Sequence, residues 1–442
     1  MPPEKPSPLS QADLFRLELV NMINLRHPLA RLAEQVKWER FDEVFEPTFC
    51  ADNGRAGCPT RLMVGLHYLK HLYDLGDEAL LEQWVENPYW QYFCGLKHFQ
   101  HEMPVHPSSL TRWRQRFGEA GAEKLLEETI RLGVETGKIR ACHLERVNVD
   151  TTVQEKNIRF PTDARLLNRM REQVVREAEA EGVALRQNYR RVGRKLLMKQ
   201  SRYAHARQVR RAEACTRRLK TILGRVVRDV GRKLQEPSAK LAGSLELARR
   251  LLNQKRGDTG KVYSIHEPQV ECICKGKAHR RYEFGCKVSV ASTSRGNWVV
   301  GAQAWHGNPY DGHTLGKALE QVQRISKAQP KEAFCDLGYR GHGITAVKVH
   351  VVPRKLRGLP PSLKRWMKRR AAIEPVIGHI KSDHRMERNR LKGVLGDQIN
   401  AILCGAAFNL KKLLRAFLSL FGNLWQLAFR LTLPLEPLLQ SA

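Results

Sequence analysis

Through residues 10–140 the apolar positions recur at helical spacing. In TRLMVGLHYLKHLYDL (60–75), Leu62, Leu66 and Leu69 share a face, and EALLEQWVENPYWQYFCGL continues in the same style. Pro88, Pro104 and Pro107 divide this region into short helices. In HPSSLTRWRQRFGEAG (106–121), Leu110, Trp113 and Phe117 mark an inward face, with Ser108 or Ser109 as the cap. Near residue 145 the period changes. ERVNVDTTV (145–153) alternates Val147, Val149 and Thr151 with polar residues, which predicts a strand carrying Asp150 near its end.

Residues 163–257 revert to helix, rich in arginine and poor in glycine and proline. Strand-like runs return with KVYSIH, YEFGCKVSVAS and NWVVGAQAW, followed by the turn HGNPYDGHT and a helix from His313 to Lys327. KEAFCDLGYRG (331–341) predicts a short strand ending in Asp336. VKVHVVP (347–353) predicts another, stopped by Pro353. A basic helix over 362–383, containing Glu374, closes the unit. The expected class is α/β, with an all-α N-terminal domain and a basic helical insertion after the first strand. MPPEKPS at the start reads as a disordered tail.

Charge adds a partner to this outline. The chain carries 76 Lys+Arg against 45 Asp+Glu, a net +31. Such an excess opposes compaction unless a polyanion screens it, which favours nucleic acid over an anionic membrane surface. Residues 163–260 hold 26 Lys+Arg and 10 Asp+Glu, a net +16 and about half of the excess. The insertion is therefore either a surface for phosphates or a solvated coiled-coil arm. Arg112, Arg114 and Arg116 belong to the reading helix of a helix-turn-helix or to the solvated side of an ordinary amphipathic helix. Ten scattered cysteines and no apolar leader argue for reduced thiols in the cytoplasm. Cys272 and Cys274 lack a second pair to complete a zinc site. AFLSLFGNLWQLAF (416–429) is too short for a spanning helix, which takes about 20 residues.

Three acids stand out against this basic background. Asp150 lies on the first strand, Asp336 ends a later one, and Glu374 lies on the last helix. Strand ends and one helix turn can bring them to a common edge, where their mutual repulsion requires a counter-charge. Two Mg²⁺ ions supply it, with Mn²⁺ as a substitute. Such a pair activates an attacking oxygen and stabilises the leaving one in phosphodiester displacement. Arg370 lies four residues before Glu374, and Lys381 seven after it, so both can hold phosphates beside the scissile bond. Taken alone, Glu374 is equally an i,i+4 partner of Arg370.

The ordered motifs resemble those of bacterial insertion-sequence transposases of the DDE type. VDTTV resembles the first-aspartate block and DLGYRG the second. Arg370, Glu374 and Lys381 match the spacing of the Y-R-E-K signature, with Met367 where the family has tyrosine. RLMVGLHYLKHLYDL, NPYWQYFCG, PSSLTRWR, RYAHARQ, GNPYDGHTL and GHIKSDHRMERNRLKG resemble the same group. The resemblance implies a ribonuclease-H-like mixed sheet with Asp150, Asp336 and Glu374 as catalytic metal ligands. It also implies cleavage of double-stranded element ends, joining of the 3′-hydroxyl to target DNA, and a homodimer or larger assembly. The expected division is 1–140 for end binding and dimerisation, 141–162 with 261–395 for catalysis, 163–260 as insertion, and 396–442 as a helical segment. A nucleoid-associated bacterial protein follows from this, with no membrane partner and no organic cofactor. A metal-dependent nuclease or resolvase and an inactive DNA-binding derivative are the alternatives.

Other polar clusters rank lower. His306, Asp311 and His313 form first of all a tight turn, with Asp311 or His313 supporting the acidic site rather than ligating zinc. His379 and His384 read as DNA-facing or solvated. Lys275 and Lys277 read as part of a basic hairpin or loop near DNA.

Overall fold

In a computed structural model, residues 17–49, 56–255, 257–274, 281–353 and 358–432 are described, with side chains through residue 418. The tail at residues 1–7, Lys275 and Lys277, and most of the apolar stretch 416–429 lie outside the described side chains.

Residues 17–144 form α1 (Leu19–Met22), α2 (Pro28–Gln35), α3 (Glu39–Phe45), α4 (Thr60–Leu72), α5 (Asp77–Glu86), α6 (Pro88–Phe93), α7 (Pro107–Glu135) and α8 (Ala141–Leu144). All residues of α4 but Arg61 are buried, as befits a helix that is apolar on most of its circumference. The cap of α7 differs from expectation. His106 accepts from the Ser108 amide and Pro107 fills the first helical position, where its missing N–H costs nothing. At Gly118 (φ 63°, ψ −158°) the helix kinks.

This helical region buries charge. Asp77 accepts from Lys70 Nζ at 2.6 Å and from both Arg114 nitrogens at 3.0 and 2.6 Å. Beside them lie His67 and His71, both fully enclosed. Burial lowers His67 to about 3, helped by the charge of Arg114, and drives His71 well below its ordinary value. Both rings are thus neutral in the folded chain, whereas the unfolded chain takes up their protons near pH 6.5. Stability is expected to fall as pH drops from about 6.5 toward 3. The urea midpoint should be lower at pH 4.5 than at pH 7, and His67→Gln should flatten that difference.

The sheet begins with β1 (Arg146–Glu155), whose long alternation places Val147, Val149 and Val153 in the core. β1 continues into an insertion of four helices, α9 (Asp163–Ala180), α10 (Arg190–His205), α11 (Val209–Lys233) and α12 (Ala239–Asn253). These close on their own apolar cluster, including Met170, Val174, Leu223, Val230 and Leu245. Arg191, Arg194, Lys195, Lys199, Arg210 and Arg217 remain exposed. KVYSIH is not a strand. Val262 and Ile265 instead pack into this same cluster, which uses their alternation without a sheet.

The chain returns through β2 (Glu271–Ile273), β3 (Glu283–Thr293), β4 (Val299–Trp305), α13 (Asp311–Ser326), β5 (Glu332–Cys335) and β6 (Lys348–Val351). β1 is central, antiparallel to β3 and parallel to β5. β3 pairs antiparallel with β4 and β2 on its other side, and β6 runs parallel beside β5. Val149, Ala291, Val300 and Ala333 join a core shared with α13 and the N-terminal helices. The opposite face holds Val288 and Val290 against Val376 and Ile380.

The expected helix over 362–383 is broken. It is α14 (Pro361–Arg369), a 3₁₀ turn Arg370–Ala372, and α15 (Ile373–Asp383). Pro375 has no amide hydrogen to donate and its ring crowds the carbonyl of Ala371, so the preceding turn tightens. Last comes α16 (Gly393–Thr432), which packs on α7, α4 and β4. Among the described residues no helix is long and apolar enough to cross a membrane.

Candidate active site

Parallel pairing sets two of the acids side by side. Asn148 lies opposite Phe334, and extending that register by two residues brings Asp150 level with Asp336. Asp336 caps the 3₁₀ turn Leu337–Tyr339, with Oδ1 accepting from the Gly338 amide at 2.9 Å. The Cys335 thiol between the strands is pushed up by burial and further by Asp336 and Asp150. Tyr339 is buried without a hydrogen-bond partner for its hydroxyl. Burial raises that hydroxyl well above its usual range, and Cys335, Asp150, Asp311 and Asp336 add to the effect.

Asp311 begins α13 and receives Lys287 Nζ from β3 at 2.8 Å. A Cβ added to Gly338 would stand 3.1 Å from both Asp311 Oδ2 and Asp336 Oδ1. Two carboxylates therefore approach the same glycine, and a side chain there would press on both. Asp311 is thus placed beside Asp336. His306 points elsewhere, toward Asp397, so the turn does not form the His306–Asp311–His313 cluster weighed from sequence.

Glu374 lies in the first turn of α15 with 65% of its side chain exposed. Arg370 links it to the strand, donating from Nη2 to Glu374 Oε1 at 3.1 Å and from Nη1 to Asp150 Oδ2 at 3.2 Å. The i,i+4 pair weighed from sequence is present, and the same guanidinium holds Asp150. Asp150 and Glu374 are thus brought together through one arginine, while Asp336 groups with Asp311. Asp150, Asp336 and Glu374 do not close to within 4.8 Å of one another. Among the described residues the group that does so is Cys286, His306 and Asp397.

The expected phosphate contacts sit differently from one another. Lys381 Nζ is 3.7 Å from Glu283 Oε1, and its side chain is mostly buried. Arg112 and Arg116 are exposed on α7, with Arg116 over the Phe49 ring. Arg114 is corrected: it is buried against Asp77, because its position turns it toward α5 rather than solvent. His384 is also corrected. It is buried with Nδ1 3.0 Å from the His71 carbonyl, whereas His379 is exposed and pairs with Asp383. Met367, which the resemblance sets where a tyrosine was expected, is buried, and its neighbour Trp366 lies under Arg146. Lys287 and Tyr339 escaped notice in the sequence. Tyr339 stood in plain view in DLGY, but nothing there showed that its hydroxyl is buried within the field of three aspartates.

Residues 17–116 match the family described as Transposase domain (DUF772), and residues 354–414, which contain Arg370, Glu374 and Lys381, match Transposase DDE domain. Both matching models describe transposase domains, one over the N-terminal helices and one over the last block, and together they support an insertion-sequence transposase of the DDE type. The chain is similar to "Uncharacterized protein ORF8 in nfe locus" of Rhizobium meliloti, 50% identical over 208 residues, which covers 47% of this chain and 100% of the relative. No solved structure matches.

Proposed function

We propose that this transposase binds the terminal inverted repeats of its element, cleaves the ends by metal-assisted phosphodiester hydrolysis and joins the freed 3′-hydroxyl to target DNA. The observation that carries the reading is Arg370 spanning Asp150 and Glu374 at 3.2 and 3.1 Å, beside the strand whose end bears Asp336. The order β4-β3-β1-β5-β6, with β5 and β6 parallel to β1, supports a ribonuclease-H-like core.

The donor set suits a hard divalent cation. Asp150, Asp336 and Glu374 offer only carboxylate oxygens, and the charge now balancing two of them is a guanidinium. These three residues would hold Mg²⁺ or Mn²⁺, which when bound supplies Lewis-acid activation of the attacking and leaving oxygens. Arg370 orients Asp150 and Glu374, Lys287 fixes Asp311 beside them, and the exposed Glu374 reaches toward the backbone of bound DNA. Residues 141–162 and 261–395 form the catalytic unit in this reading. Residues 1–140 bind ends and mediate dimerisation, with Arg112 and Arg116 as DNA contacts. The insertion 163–260 lies along phosphates, and two or more copies pair the ends.

Incubation with Mg²⁺, an element-end duplex and a target plasmid tests this. Cleaved ends and joined products are expected, whereas cleavage without joining would make the protein a nuclease. Binding should also be steeply salt-dependent, with log K falling by about 0.9 per phosphate contact for each unit of log salt. A flat salt response would remove the insertion as a DNA surface.

A further inference from the structure

We infer that Cys286, His306 and Asp397 form a zinc site, separate from the three catalytic acids, that fastens the root of the helical insertion to the sheet. Cys286 comes from β3, His306 follows the end of β4, and Asp397 lies in the first turns of α16. Their donor atoms all lie within 4.8 Å of one another. His306 Nε2 is 3.6 Å from Asp397 Oδ2. Ligands around a tetrahedral zinc ion stand about 3.3–3.7 Å apart, given Zn–S and Zn–N lengths near 2.3 and 2.0 Å.

Three further observations point to a cation here. Both ring nitrogens of His306 are enclosed and lack hydrogen-bond partners, an arrangement that is costly for an imidazole with no ligand. Asp397 divides its oxygens. Oδ1 accepts from Lys156 and Asn389, each at 2.7 Å, while Oδ2 faces His306. Carboxylates that bind zinc are commonly oriented in this way by bonds to the other oxygen. Lys156 is shared between two buried carboxylates, Asp397 at 2.7 Å and Glu267 at 3.2 Å, so one ammonium faces two negative charges. A thiolate, an imidazole and a carboxylate together suit zinc better than magnesium. Glu271 accepts from the Gly307 amide next to His306 and has a buried Oε2 without a partner, while water can fill the fourth position. On binding, the Cys286 thiol gives its proton to solvent and the sulfur bonds the metal, with no redox change.

The location gives the site its purpose. Lys156 is where the chain leaves β1 for the insertion, and Glu267 lies where it returns. Both bond to the segment that opens α16, Lys156 to Asp397 and Glu267 to the Gly393 amide at 3.0 Å. A zinc ion on Asp397 would tie that crossing to β3 and β4.

The test uses the full chain purified without chelator, with metal measured by mass spectrometry and Co²⁺ substituted for spectroscopy. About one zinc per chain is expected, together with a thiolate-to-cobalt charge-transfer band. Cys286→Ser should abolish the band, and His306→Gln should weaken zinc affinity at least about tenfold. Asp150→Asn should retain the zinc, which separates this site from the catalytic acids. Chelation should expose the chain near residues 156–160 to protease. The inference is overturned if the folded wild-type chain, checked by circular dichroism, takes up no zinc at micromolar free metal. It is also overturned if cobalt binds without the thiolate band, a result that does not depend on whether the variants fold.

Discussion

Asp150→Asn, Asp336→Asn and Glu374→Gln are each expected to lower DNA cleavage by at least about 10³-fold while leaving binding to element ends nearly unchanged. Metal-assisted activation contributes several kcal/mol to phosphoryl transfer, and about 1.4 kcal/mol corresponds to each factor of ten. The structure makes these substitutions clean. Glu374 is mostly exposed, so its pair with Arg370 adds little to stability. Asparagine at 150 still offers an oxygen to Arg370, so the contact between β1 and the 3₁₀ turn is preserved. Rates in a gel-based nicking assay would decide the matter, with end binding followed on the same duplex. Cleavage within tenfold of wild type in any variant would strip that residue of its metal-binding assignment.

Arg114→Ala is expected to cost about 3 kcal/mol of stability, because it removes one side of a buried ion pair and leaves Asp77 to Lys70 alone. Arg112→Ala and Arg116→Ala, at exposed positions, should change stability by no more than about 0.5 kcal/mol. Their effect should appear in DNA binding as a weaker complex with a shallower salt slope. Urea unfolding and salt titration on the same three proteins separate the roles. If Arg114→Ala unfolds at the wild-type midpoint, the Asp77 cluster does not hold α5 to α7.

Much of the sheet could be read from the chain. The alternation at 145–153 marked β1, and short apolar runs ending in an acid or a proline marked β5 and β6, because successive strand side chains point to opposite faces. Local spacing also revealed the Arg370–Glu374 pair. Long-range partners were hidden. By spacing Arg114, four residues after Leu110 and three before Phe117, falls on the inward face, but its partner Asp77, 37 residues earlier, could not be seen. Arg370 meets Asp150 across 220 residues, a contact that only the sheet creates. KVYSIH misled because alternation reports one buried face and not what buries it. Pro375 was visible, but the continuous basic pattern around it outweighed the break it imposes.

β1 pairs with β3 without interruption from Val147 to Glu155, and the segment that leads to the helical arm starts at Lys156, held there by Asp397 and Glu267. Asp150 and the base of the arm therefore ride on one stiff rod. A displacement of that base at Lys156 is carried along the hydrogen-bonded backbone of β1 toward Asp150. Whatever shifts Lys156 thus shifts the strand that carries the acid.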